Sequence, residues 1–251
     1  MGGAIARGLA AGSKVAAADI VVCSPNRRGE LDALKAEYPD INVSVDNEAA
    51  VSGTDMIILA VKPWMLDVVM NPLKMKIDFD RQMLVSIVAG ATLDELANYA
   101  FAGKAAVFQL IPNTAISVHQ SMTFIAARGA SPKKIAAVED IFGELGQTMV
   151  VDERQMPACM ALASCGIAYV MRYIRAASEG GVELGLPADT AKQIVMQTMT
   201  GAVELLRATG SHPEAEIDKV TTPGGLTIRG LNAMEAGGFT ASVIAGLKAS
   251  R

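Results

Sequence analysis

The sequence predicts an α/β domain with a doubly wound sheet, followed by an all-helical domain. Short apolar runs alternate with helical segments from residue 1 to 152, which is the pattern of a doubly wound sheet. The run at 55–61 is almost wholly apolar, as strands inside parallel sheets are. After Asp152 the alternation stops and long alanine-rich segments follow. We therefore expect domains over residues 1–152 and 153–251.

The elements of the first domain follow from local patterns. Apolar runs bounded by turn residues predict strands at 19–24, 41–45, 55–61, 83–88, 105–110, 122–127 and 148–151. Apolar residues at helical spacing predict helices at 1–9, 30–38, 46–52, 64–70, 93–99 and 132–145.

Helical spacing predicts four segments in the second domain. They cover residues 154–164, 166–184, 188–209 and 226–250, with breaks at 185–187 and 210–213 that contain glycine and proline. These segments are more apolar than one monomer needs to form its own core. We therefore expect the second domain to bury apolar surface against another subunit, giving a homodimer or a larger oligomer.

Composition excludes several classes of function. The chain carries 22 basic and 26 acidic residues, a formal net charge of -4, so it lacks the basic excess of a nucleic-acid-binding surface. Aromatic residues make up only 4% of the sequence, which leaves few stacking platforms for bases.

Cysteine and histidine are too sparse for a disulfide framework or a metal centre. Cys23, Cys159 and Cys165 show no C-x-x-C spacing, and His119 and His212 fall in predicted loops. No uninterrupted apolar run reaches the roughly 18 residues that span a membrane, and no signal peptide is visible. We therefore expect a cytoplasmic protein without a metal and without a membrane partner.

The first helix begins with glycines, and the first strand ends in a basic turn. Met1-Gly2-Gly3-Ala4-Ile5-Ala6 matches the end of the loop at which dinucleotide folds bind a pyrophosphate. The run 23–28, which is CSPNRR, offers a hydroxyl, an amide and two cations where an NAD site would place an acid. These groups suit a 2′-phosphate, so we favour NADPH over NADH, with an exposed basic turn as the alternative.

The stretch Val220–Leu231 is a tight loop that opens into a helix. Pro223 blocks helix formation before it, and Gly224 and Gly225 allow a sharp turn and a close approach of the backbone to a ligand. Free N–H groups at such a helix start can bind a carboxylate or phosphate. The alternative is an ordinary helix start capped by threonine.

This stretch, continued by residues 232–239, resembles the signature of the pyrroline-5-carboxylate reductases. The resemblance extends over nearly the whole chain. It implies a Rossmann-like first domain and a helical dimerisation domain. It also implies reduction of 1-pyrroline-5-carboxylate to proline with NAD(P)H, the last step of proline biosynthesis.

The resemblance also implies how the loop acts. In the family the loop holds the carboxylate of a five-membered cyclic imine, and a threonine at the place of Thr227 meets the ring nitrogen. Thr227 is therefore the candidate catalytic residue, which relays a proton, and the nicotinamide would lie between Asn113 and this loop. The candidate substrate-binding residues are Thr222, Gly224, Gly225, Leu226 and Thr227.

The cofactor site is expected at the turns that follow the strands. Asn47 resembles the family asparagine beside the adenosine, and residues 60–63 match the family's Ala-Val-Lys-Pro turn. Without the resemblance these are generic loop residues, and Lys62 is an ordinary solvated lysine. The candidate cofactor-binding residues are Gly2, Ser24, Asn26, Arg27, Asn47, Ala60, Val61, Lys62, Pro63, Ala89, Gly90, Pro112 and Asn113.

The sequence departs from the family pattern at several positions. Gln109 and Ile111 replace the Arg and Met of Arg-x-Met-Pro-Asn. The family segment Gly-Ser-Gly-Pro-Ala-Tyr is here residues 164–169, which read SCGIAY with Ile167 in place of proline. Arg175 stands where an acid is common. The alternatives are therefore a reductase of a related cyclic imine or keto acid, or a non-catalytic NADP-binding dimeric scaffold.

The family motif usually begins with a strand and Gly-x-Gly-x-Met-Gly. The sequence begins at the Met of that motif. Because a doubly wound sheet has its first strand at its centre, we expect about ten upstream residues, a strand followed by Gly-x-Gly-x, in the native protein.

Overall fold

The computed structural model describes residues 1–100 and 105–250. It divides into two compact units, Met1–Ser164 and Cys165–Arg251. The first unit extends beyond the boundary expected at Asp152, because the short helix that follows packs on the first unit's core. Met156, in that helix, is only 2% exposed and belongs to the apolar cluster on one face of the sheet.

The described part of the first unit contains seven strands in two sheets. They are β1 (Val21–Cys23), β2 (Asn42–Ser44), β3 (Met56–Leu59), β4 (Met83–Ser86), β5 (Ala106–Ile111), β6 (Ser121–Arg128) and β7 (Gly146–Val150). Strands β1 and β2 form a parallel pair, and the larger sheet has the order β3-β4-β5-β6-β7. The expected upstream strand stays a prediction.

The larger sheet is mixed rather than wholly parallel. Strands β5 and β6 pair antiparallel, whereas the other neighbours in this sheet are parallel. The connection between β5 and β6 is too short for the crossover that a parallel pair needs. It reverses through the 3-10 turn Thr114–Val118 and His119, which adopts the left-handed conformation with φ 56°.

Helices cover both faces of the larger sheet, which confirms the doubly wound prediction. The helices of this unit are α1 (Gly2–Ala11), α2 (Arg28–Glu37), α3 (Asn47–Val51), α4 (Leu66–Leu73), α5 (Leu93–Tyr99), α6 (Pro132–Gly143) and α7 (Met156–Met160). Leu84 and Val107 lie in one apolar cluster with residues of α4 and α5. Val85 and Phe108, their neighbours along the strands, lie in a second cluster with residues of α1 and α6. Because side chains alternate across a strand, β4 and β5 supply both cores.

Side chains fix the starts of several helices. Asp46 accepts hydrogen bonds from the backbone N–H groups of Glu48 and Ala49 at the start of α3. Thr92 and Glu95 form a capping box at the start of α5. After α7 the chain continues through a π-helical turn, Ala161–Cys165.

The second unit is all-helical, as predicted. Its helices are α8 (Gly166–Glu183), α9 (Ala188–Thr209), α10 (Pro213–Val220), α11 (Leu226–Ala236) and α12 (Phe239–Ala249). The single helix expected at 226–250 is wrong, because Gly238 adopts φ 80° and separates α11 from α12. The prediction also missed α10, where Pro213 occupies the first turn and the His212 ring accepts a hydrogen bond from Glu214 N–H.

Much apolar surface of the second unit is exposed in the single chain. Within the residues that the structure describes, only Gly166 and Ala191 of this unit are buried. The continuous stretch Glu153–Glu183 is long and apolar enough, by length and composition alone, to cross a membrane. No apolar run of roughly 18 residues was expected from the sequence, but this stretch meets the broader criterion of mean composition because the chain carries no charged residue between Arg154 and Arg172.

Candidate functional site

Three loops follow the carboxyl ends of β3, β4 and β5 at one edge of the larger sheet. These strands are parallel neighbours, so Ala60–Pro63, Ala89–Gly90 and Pro112–Asn113 leave the sheet on the same side. Open α/β sheets bind ligands at this edge. The structure thus brings together the predicted cofactor residues of these three loops.

The start of α1 lies against the first of these loops. A Cβ atom added to Gly2 would lie 2.8 Å from the Ala60 Cβ, whereas one added to Gly3 would meet only the flexible Arg7 guanidinium, at 3.3 Å. Buried Ile5 and the turns beyond it hold α1 in the core. A side chain at position 2 would therefore fill the space in which the α1 N-terminus approaches this edge. The space beside Gly2 and the N–H groups of the first turn of α1, which have no partner within the helix, fit a pyrophosphate.

The last residue of β1 is in direct contact with the first residue of α3, the helix that follows β2. The Cys23 thiol donates a hydrogen bond to the Asn47 side-chain oxygen at 3.0 Å. Burial raises the pKa of the Cys23 thiol, which keeps it in the protonated form that can donate. This contact holds Asn47 beside the turn that starts at Ser24, where Arg27 N–H donates to the Ser24 carbonyl at 3.3 Å.

The polar side chains of the turn that follows β1 are accessible to solvent. Ser24 is half-buried, and Asn26 and Arg27 are exposed. The Arg27 guanidinium pairs with Glu30 at 2.8 Å, but both side chains are more than half exposed. Such surface pairs contribute little free energy. Arg27 can therefore leave Glu30 for a phosphate at small cost.

Sequence reasoning missed a buried polar network beneath Asn113. The Asn113 N–H donates to the Ser121 hydroxyl at 3.2 Å, and Ser121 lies 3.0 Å from the Thr123 hydroxyl. Both hydroxyls are buried on β6. No local signal identifies them, because two hydroxyl residues at strand spacing are equally compatible with a solvated strand face.

Gln109 fixes the loop after β4. Its side-chain N–H donates to the Ala91 carbonyl at 2.8 Å, while its side-chain oxygen is buried and has no hydrogen-bond partner among the described residues. Sequence reasoning identified Gln109 only as a departure from a family pattern. Its contact with the loop that contains Gly90 follows from the register of β4 and β5, which no local pattern reveals.

The second unit contains the glycine loop, which begins after α10. The Gly225 N–H donates to the Thr222 carbonyl at 2.9 Å, and Gly224 adopts φ 73°, a conformation that favours glycine. A Cβ added to Gly225 would lie 2.6 Å from the Thr222 hydroxyl oxygen. Only glycine fits this turn without displacing Thr222.

The loop leaves the start of α11 open. In the described structure no side chain caps this helix at Gly225, and Leu226 and Thr227 are exposed. The N–H groups of the first helical turn have no partner within the helix. The Thr221 hydroxyl donates instead to the Asp218 carbonyl at 3.1 Å. Of the three threonines at this loop in the described structure, Thr222 and Thr227 are exposed, whereas Thr221 is half-buried.

Both histidines have structural contacts. The His119 ring lies 2.9 Å from the Glu144 carbonyl, and the His212 ring accepts from the start of α10. Over residues 1–100 and 105–250 the structure contains no cluster of three or more His, Cys, Asp or Glu suited to a metal ion.

A glycine-rich helix start at the ligand edge of a doubly wound sheet is the arrangement of a dinucleotide-binding protein. Comparison with known proteins agrees with this class. A family model described as "Pyrroline-5-carboxylate reductase dimerisation" matches residues 153–251, and one described as "NADP oxidoreductase coenzyme F420-dependent" matches residues 1–90. The chain belongs to the pyrroline-5-carboxylate reductase family.

Individual relatives support this assignment. The chain is 35% identical to a pyrroline-5-carboxylate reductase of Synechocystis over all of its own length and 92% of that protein's. It is 37% identical to pyrroline-5-carboxylate reductase 1 of Dictyostelium discoideum, over all of its own length but only 47% of that protein's. The chain therefore spans about half of that relative and nearly all of the cyanobacterial one.

Solved structures agree in fold over almost the whole chain. A pyrroline-5-carboxylate reductase of Coxiella burnetii is 26% identical, with a TM-score of 0.89 over 99% of this chain and 93% of that one. The Plasmodium falciparum pyrroline carboxylate reductase with NADP bound is 25% identical, with a TM-score of 0.86 over 98% of this chain and 90% of that one.

Proposed function

We propose that the protein reduces 1-pyrroline-5-carboxylate to proline with NADPH. The observation that carries this proposal is the loop Thr222–Thr227, in which two glycines precede an uncapped helix start. Such a loop suits a small anionic substrate, and family membership indicates a cyclic imine carboxylate.

The substrate carboxylate accepts hydrogen bonds from the N–H groups at the start of α11. The first two helical residues, Leu226 and Thr227, supply these groups, and the bare backbone at Gly225 lets the carboxylate approach. Thr222, whose hydroxyl lies beside the Gly225 Cα, closes the other side of the loop. The carboxylate thereby orients the ring.

The Thr227 hydroxyl positions the ring nitrogen and relays its proton. A hydroxyl both donates and accepts, so it can hydrogen-bond the imine nitrogen before and after reduction. Reduction of the C=N bond adds a hydride to carbon and a proton to nitrogen, and bound NADPH supplies the hydride. The chain contributes orientation and a proton path at one atom.

The first unit holds the cofactor through its edge loops. The helix start at Gly2 would hold the pyrophosphate, and Asn47 would contact the adenosine. The 2′-phosphate would be held by Ser24, Asn26 and Arg27. The loops that follow β3, β4 and β5 support the remainder of the dinucleotide from the sheet edge.

The test of this function is an assay with matched substrates. NADPH oxidation should proceed with 1-pyrroline-5-carboxylate and be absent with open-chain keto acids of similar size. Turnover of a keto acid or of another cyclic imine alone would favour the related-reductase alternative. NADPH binding in a direct titration without turnover of any imine would favour the non-catalytic scaffold.

Arg27→Ala should narrow the preference for NADPH over NADH. Loss of a charge-assisted contact to the 2′-phosphate typically costs roughly 1.5–3 kcal/mol, a factor of about ten to a hundred in kcat/KM with NADPH. The kcat/KM with NADH should stay within about twofold of the wild-type value, because NADH lacks that phosphate. Steady-state kinetics of both enzymes with both cofactors measures the change, and an unchanged or reversed preference removes Arg27 from the phosphate site.

The protein should be at least a dimer in solution through its second unit. Val170, Leu184 and Ile194 are among the large apolar side chains that this unit exposes in the single chain. A subunit interface explains such exposure, and the match to the dimerisation model supports an interface over a membrane span for Glu153–Glu183. Light scattering at micromolar concentration in detergent-free buffer tests this, and a monomer would contradict it.

A further inference from the structure

Ser164 contacts the turn that follows β5. Its hydroxyl donates a hydrogen bond to the Pro112 carbonyl at 3.1 Å, within the first compact unit. Ser164 lies in the π-helical turn Ala161–Cys165. Such turns add one residue to a helix, weaken its ladder of backbone hydrogen bonds and occur often at functional sites.

The Pro112 carbonyl is one of few polar groups through which this turn can be held. Proline has no N–H, so residue 112 can be hydrogen-bonded only through its carbonyl. On the other side of the turn, the Asn113 N–H donates to Ser121, which lies next to Thr123 in the buried network. The turn is thus fixed from β6 through Asn113 and from the π-helical turn through Ser164.

This contact depends on a residue in which the chain departs from its family. The family segment Gly-Ser-Gly-Pro-Ala-Tyr corresponds to residues 164–169, so Ser164 stands at the place of a glycine, which has no side chain to donate.

We propose that Ser164 is a positioning residue that fixes the Pro112–Asn113 turn for hydride transfer. This inference rests on the proposed function, in which that turn supports the cofactor at the sheet edge. Ser164 touches neither reactant, and it acts through the Pro112 carbonyl.

Ser164→Ala should lower kcat by about five- to tenfold while the KM for NADPH stays within about twofold, since one neutral hydrogen bond is lost far from the phosphates. Ser164→Thr retains the hydroxyl and should restore most of kcat. Ser117→Ala is the matched control, because Ser117 also donates to a backbone carbonyl at 3.1 Å, that of Thr114, but is exposed and outside the proposed site.

Amide hydrogen exchange of the unliganded protein supplies a readout independent of activity. The segment 111–118 should exchange faster in Ser164→Ala than in the wild type, and Ser164→Thr should reverse the change. The proposal would be overturned if Ser164→Ala had the exchange rate and the kcat of the wild type. It would also be overturned if Ser164→Thr failed to restore the exchange rate or kcat. A wild type inactive on every imine, with the exchange difference present, would reject the proposed function but not the role of Ser164 in fixing the turn.

Discussion

Replacing Thr227 by alanine is expected to lower turnover by about 30- to 1,000-fold, which corresponds to roughly 2–4 kcal/mol of transition-state stabilisation. Thr227 lies in the first turn of α11, and its exposed side chain is open to a ligand there. The variant loses the hydroxyl that we propose contacts the ring nitrogen but keeps its backbone N–H, so the substrate KM should change less than kcat. NADPH affinity should stay within about twofold.

The matched control for this experiment is Thr221→Ala. Thr221 lies in the same loop, but its hydroxyl donates to the Asp218 carbonyl at the end of α10, so its removal should leave kcat nearly unchanged. Single-turnover kinetics with 1-pyrroline-5-carboxylate separates chemistry from product release in both variants. Equal losses of turnover in Thr227→Ala and Thr221→Ala would assign the effect to the structure of the loop. Wild-type kinetics in Thr227→Ala would remove Thr227 from the mechanism.

The sequence predicted the first unit well because its strands are short, apolar and bounded by turns. The helix expected at 93–99 has the bounds of α5, where the capping box of Thr92 and Glu95 is a local signal. The common position of the three loops at the sheet edge could also be predicted, because parallel strands present their carboxyl ends at one edge. The antiparallel pairing of β5 with β6 was not predicted, although the short gap between the strands expected at 105–110 and 122–127 was a local signal for it.

The features that the sequence did not predict depend on tertiary contacts or on glycine conformation. Gly237 and Gly238 occur in an apolar region that reads as one helix, and only the φ of 80° at Gly238 separates α11 from α12. Ser121, Thr123 and Ser164 become recognisable only when β6 and the π-helical turn are placed beside the end of β5. Hydroxyl residues are common in sequences, so their local pattern does not distinguish a buried network from a solvated strand.

The exposed helical unit illustrates a different limit. Glu153–Glu183 satisfies the length and composition of a membrane span, and a helix at a subunit interface satisfies them equally. Apolar composition indicates that the surface of such a helix must be buried away from water, and a partner subunit is one structure that can bury it. The oligomeric state in detergent-free solution distinguishes a membrane span from a subunit interface.

Gly2→Ala is expected to weaken NADPH binding by about ten- to a hundredfold. The added Cβ would lie 2.8 Å from the Ala60 Cβ, well inside normal contact distance, and neither atom is at the end of a flexible side chain. The start of α1 must therefore move away from the sheet edge, and the N–H groups of the first turn lose their alignment with the pyrophosphate. Loss of one charge-assisted hydrogen bond is typically worth roughly 1.5–3 kcal/mol.

Gly3→Ala separates this effect from a general change in helix stability. Both substitutions replace glycine by alanine in the first turn of α1, where alanine is favoured by up to about 1 kcal/mol. The Cβ at position 3 would meet only the end of the long Arg7 side chain at 3.3 Å and no atom of the sheet edge, so NADPH affinity should stay within about twofold of the wild type. Fluorescence titration with NADPH measures affinity, and thermal melts of the unliganded proteins measure stability. If Gly2→Ala binds NADPH as tightly as Gly3→Ala, the α1 start does not form the pyrophosphate site.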